Sequence, residues 1–121
     1  MRLYETHLPV ANTEVAKDFY TTVVGLPFAY RDPTRDIIFL WAASKEQGMI
    51  GLWGPNAAYG QENGIARKCH LAFAVSFDQL LAAIKKLNEC GIKTLGFGGQ
   101  SNAGADCHWM DALGADLFSR S

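Results

Sequence analysis

Apolar and polar positions change their period several times along the chain, and each change marks an element. Residues 3–10 read as a strand. Asn12-Thr13-Glu14 then supplies a helix start, a capping side chain followed by an acid in the first turn, where the helix dipole favours it. Val15, Ala16, Phe19, Tyr20 and Val23 recur at helical spacing. Gly25 ends this helix, where a left-handed residue is wanted, and Pro27 prevents its resumption. Three short strands are expected next, at 28–31, 37–42 and 49–53, separated by polar turns at 32–36 and 44–48. The Gly-, Pro- and Asn-containing stretch 55–67 reads as a linker.

The order then repeats. Residues 69–75 read as a strand, and Ser76-Phe77-Asp78-Gln79 has the form of a capping box. Leu80, Leu81, Ile84 and Leu87 form an apolar stripe opposite Lys85, Lys86 and Glu89. Gly91 is the expected stop, and 92–97 the next strand. His7-Leu8-Pro9-Val10 and His70-Leu71-Ala72-Phe73 open equivalent segments, so the pattern is a duplicated unit. Module one covers about 1–54 and module two 68–121 of a single domain. Each helix covers one face of its small sheet and leaves the other for a partner unit or a ligand.

Composition narrows the class without naming a function. The 121 residues include 49% hydrophobic and 19% charged positions, enough for a core. The formal net charge of -1 argues against a nucleic-acid partner held by a broad basic surface. No apolar run approaches membrane-span length, and no apolar stretch follows the N-terminal charge as a signal peptide requires. Cys69, Cys90 and Cys107 form no CxxC pair, and reduced thiols in a cytoplasmic protein are the simpler expectation. Phe39, Trp41 and Trp53, with Tyr30, alternate on the strands of module one. Some of these rings must line the open face, as a substrate pocket for a flat ligand or as ordinary packing. Glu46 and Glu62 read as solvated loop residues, and 98–104 as a glycine-rich loop lacking the Lys-Ser/Thr of a phosphate loop.

The arrangement resembles the vicinal oxygen chelate superfamily, which includes glyoxalase I, bleomycin-resistance proteins, fosfomycin-inactivating thiol transferases and extradiol dioxygenases. The residues that carry the resemblance are His7-Leu8-Pro9-Val10, Asp18-Phe19-Tyr20 and Val24-Gly25-Leu26-Pro27-Phe28 in the first half. In the second they are His70 to Val75, Leu87 and Gly91-Ile92. The resemblance implies an α+β fold: two βαβββ modules forming a half-barrel of mixed and antiparallel sheet, often assembled as a homodimer. It also implies a divalent metal (Zn, Mn, Ni or Fe) held by His7 and His70, at the first-strand positions of the two modules. Imidazole suits those ions, and two His with one carboxylate leave room for a substrate with adjacent oxygens. One strand histidine alone is more simply a core residue; two at equivalent places favour ligands.

The family's last strand carries a Glu after an Asp-Pro-Asp-Gly-type turn. Here Asp111 and Gly114 echo the turn and no Glu follows, so the last strand is expected to be missing or atypical. Asp116 and His108 are the substitute candidates for the third ligand. Synonymous codons exist with which a one-nucleotide shift over 115–121 would read Leu-Ile-Tyr-Phe-Arg-Asp-Pro, resembling the family's ending. The resemblance therefore implies a metal-dependent lyase, isomerase or thiol transferase acting on a small oxygen-bearing substrate, with activity impaired by the atypical C-terminus. The alternative is a non-enzymatic protein that sequesters an antibiotic or other small molecule, as bleomycin-resistance members do. The paired histidines favour the first reading and the missing Glu the second. A fold kept for oligomeric or regulatory contacts alone is a third.

Overall fold

The computed structural model describes residues 1–45, 47–57, 70–96, 107–108 and 116–120. It divides into two compact units, Met1–Arg67 and Lys68–Ser121. Glu46, Glu62, Cys69 and the 98–104 loop lie outside the described residues, as does most of the 55–67 stretch.

The first unit runs β1 (Glu5–Pro9), α1 (Thr13–Asp18), β2 (Phe28–Arg31), β3 (Ile37–Trp41) and β4 (Met49–Trp53). The four strands lie in the order β1-β4-β3-β2, with β1 parallel to β4 and the other pairs antiparallel. Asn12 caps α1, its side chain accepting from the Val15 amide at 3.0 Å. Beyond Asp18 the helix widens into a π-helical turn over Phe19–Val24, ended by Gly25 in the left-handed region (φ 88°). The threonines of that turn explain its tolerance. Thr21 Oγ1 donates to the Lys17 carbonyl at 2.8 Å and Thr22 Oγ1 to that of Asp18, so hydroxyls occupy carbonyls at the widened turn.

Alternation along the strands sends Leu8, Ile38, Leu40, Ile50 and Leu52 to the face that α1 covers, where Ala16 and Tyr20 complete the core. Val15 differs from expectation: at 59% exposed it lies off the packed stripe, and Ala16 takes that place. Asp36, read in sequence as a turn residue, joins three segments. Its carboxylate accepts from Thr13 Oγ1 at 2.8 Å and the Asn56 amide at 3.3 Å, and its carbonyl from the Gly54 amide at 2.8 Å.

The second unit repeats the plan: β5 (His70–Val75), α2 (Phe77–Glu89), β6 (Leu95–Gly96), β7 (Cys107–His108) and β8 (Asp116–Arg120). β5 is parallel to β8 and β6 antiparallel to β7. These are two separate two-stranded sheets, with β7 lying near β8. The last strand, expected to be missing or atypical, is present as β8. Its pairing with β5 is irregular between His70 and Phe73, as an inserted residue in one strand requires. Both arms of the Ser76 capping box form: Gln79 N donates to Ser76 Oγ at 3.2 Å, and Ser76 N to Gln79 Oε1 at 2.9 Å. Leu80 and Leu87 are buried on α2. Leu81, expected in the same stripe, is 48% exposed, so the packed side is narrower than the sequence pattern.

Candidate functional site

The face of the first sheet opposite α1 carries the chemistry. In the strand register His7 lies beside Gly51, Gly51 beside Phe39, and Phe39 beside Tyr30. One step along, Glu5 lies beside Met49 and Met49 beside Trp41. The period of two therefore puts His7, Phe39, Trp41, Trp53, Tyr30 and Glu5 on one face.

Gly51 shapes this surface. A Cβ there would lie 2.8 Å from Trp53 Nε1 and 3.1 Å from Phe39 Cε1. The missing side chain lets the Trp53 indole fold back across the strand, where it stacks on the His7 imidazole (centroids 4.1 Å apart, planes 26° apart). Tyr30 and Phe39 stack at 6.3 Å and 24°. Trp53 is buried, Phe39 and Trp41 are half-buried, and Tyr30 and His7 are exposed. The result is a shelf of rings with graded exposure.

His7 is oriented by two contacts, the indole beneath it and a 2.6 Å hydrogen bond between Nε2 and Glu5 Oε1. Glu5 is the site residue the sequence reading missed. Its signal was its place two residues before His7, which on a strand means the same face.

The other metal candidates belong to the second unit. His70 pairs in register with Asp116, the position on β8 that Gly51 occupies on β4 relative to His7. His108 pairs with Leu95 on β7. Register thus puts Asp116, and not His108, beside His70. Among the described residues no three His, Cys, Asp or Glu side chains gather into a metal-holding group.

No protein-family model matches the chain, and no curated protein matches it. Solved structures do. An integron cassette protein from the mobile metagenome of the Halifax Harbour sewage outfall is 25% identical, with TM-score 0.74 over 98% of this chain and 97% of that one. A lactoylglutathione lyase from Agrobacterium tumefaciens is 17% identical, with TM-score 0.72 over 98% and 92%. An antibiotic binding protein from a Streptomyces species is 17% identical, with TM-score 0.70 over 99% and 95%. The chain has the vicinal oxygen chelate fold, that of the glyoxalase/bleomycin resistance/dioxygenase superfamily. No helix among the described residues is long and apolar enough to cross a membrane.

Proposed function

We propose that the chain binds a flat small molecule on the open face of its first sheet. The observation that carries this reading is the shelf built around Gly51, where Trp53, Phe39 and Tyr30 present stacked rings with His7 and Glu5 at the border. Ring faces held this way offer offset stacking to a planar ligand with little side-chain ordering left to complete. The half-buried and exposed rings make the surface accessible, which a purely structural cluster does not need. The antibiotic binding protein of like fold supports the same reading. Calorimetric titration with acridone, a neutral planar tricycle, tests it. Binding is expected, and Phe39→Ala is expected to weaken it by about 1 kcal/mol or more. Equal affinity of wild type and variant would place the ligand elsewhere.

A second reading keeps the divalent metal. Its support is the register of His70 with Asp116, together with His7 at the equivalent first-strand position of the other unit. Imidazole and carboxylate donors suit Zn, Mn, Ni or Fe. His70 and Asp116 are the pair of the second unit that would hold the ion, with His7 the matching candidate of the first, and a bound ion would polarise and orient a substrate oxygen. On this reading Glu5 holds the His7 ring through Nε2, as outer carboxylates hold ligating imidazoles. Zinc titration by calorimetry tests the set. Uptake is expected in the wild type and its loss in both His7→Ala and His70→Ala. Unchanged uptake in either variant would remove that histidine from the site.

A further inference from the structure

We infer that Glu5 makes the open face of the first sheet selective for a planar aromatic cation. This rests on the proposed binding of a flat molecule there and adds the ligand's charge.

Two independent features of the face point to the same sign. The first is the rings: the face of an aromatic ring carries negative electrostatic potential, so Tyr30, Phe39 and Trp41 attract a cation laid against them. The second is the carboxylate. Glu5 lies on the same face, half-buried at the border of the shelf, with a side chain 27% exposed. Its Oε1 accepts the His7 hydrogen bond at 2.6 Å. An ionised carboxylate offers about four lone-pair sites, so capacity remains for donors on a ligand. Partial burial leaves its charge less screened than a fully solvated one.

Three cationic side chains of this unit are engaged elsewhere. Arg31 pairs with Glu14, Lys17 with Glu14 and Asp18 on α1, and Arg35 with Asp32 in the β2–β3 turn. Arg2, just before β1, and Lys45, in the β3–β4 turn, are exposed at the end of the sheet where Glu5 lies, and neither makes an ion pair with it among the described residues. An anionic planar molecule would meet both the ring faces and the carboxylate with the wrong sign.

Calorimetry on the full chain with three tricyclic probes tests the inference: cationic proflavine, neutral acridone and anionic anthraquinone-2-sulfonate. Proflavine is expected to bind at least about ten-fold more tightly than the anion, a difference of about 1.4 kcal/mol. In Glu5→Gln the ratio of proflavine to acridone affinity is expected to fall by about ten-fold. In the wild type that ratio is also expected to fall as salt is raised, a readout that needs no variant to fold. Acridone binding with a proflavine ratio indifferent to both salt and Glu5→Gln overturns the charge assignment and leaves the flat-ligand reading standing. No binding by any of the three probes overturns both.

Discussion

Gly51 is where one atom decides the site. An added Cβ would press on Trp53 Nε1 at 2.8 Å and on Phe39 Cε1 at 3.1 Å, and the indole is itself held against His7. Gly51→Ala is therefore expected to destabilise the fold by about 1–3 kcal/mol, the usual cost of overpacking, and to weaken acridone binding. Urea unfolding reads the first effect; an unchanged midpoint would mean that the indole swings aside freely. Asp32 shows a residue-scale effect of another kind. Arg35 beside it, then the Thr34 amide, hold its carboxyl well below the usual carboxylate range. A folded-state pKa below the unfolded one stabilises fully above the ordinary range, and that contribution disappears as pH falls through the lowered value. Asp32→Ala is thus expected to lower Tm at about pH 7 and to differ less from wild type at about pH 2. Equal Tm differences at the two pH values would remove the linkage. Neither partner of Asp36 in the Thr13 and Asn56 contacts was legible in the sequence, because they lie 23 and 20 residues away along the chain.

At the scale of elements, what local chemistry determines was legible and what packing determines was less so. The Asn12 cap, the Ser76 box and the left-handed stops at Gly25 and Gly91 each depend on groups within a few residues, and all form as expected. The π-helical turn over Phe19–Val24 keeps the same apolar residues and the same stop as an α-helical continuation, so periodicity alone does not separate the two. Val15 and Leu81 are apolar at helical spacing, yet the packed side of each helix is too narrow to include them. The Ser76 box carries a direct test. Ser76→Ala removes the acceptor for Gln79 N and is expected to cost about 1 kcal/mol of stability. An unchanged urea midpoint would mean that α2 is held by packing alone.

At the scale of the whole molecule, the duplication is the most legible feature: both units pair their first and last strands in parallel. The open face was legible in part. Period-two alternation put Phe39, Trp41 and Trp53 in view, while the role of Gly51 needed the fold, because the rings that exclude its Cβ come from two strands. The edge strand β2, whose register with β3 is irregular between Phe28 and Tyr30, also leaves apolar area uncovered. Phe28 and Tyr30 are 51% and 52% exposed on β2, at the edge of the sheet. An open strand edge bearing aromatic side chains is a surface that soluble proteins usually pair or cover. A second copy is the simplest cover, since two-fold symmetry is the commonest closed arrangement and lets one patch meet itself. We therefore expect a homodimer, sedimenting at twice the chain's mass at micromolar concentration. Phe28→Asp should shift it toward monomer, because a carboxylate buried at the seam of a dimer has no partner to repay its desolvation. A wild type that sediments at the mass of one chain would end the proposal. A dimer indifferent to Phe28→Asp would move the interface off the β2 edge.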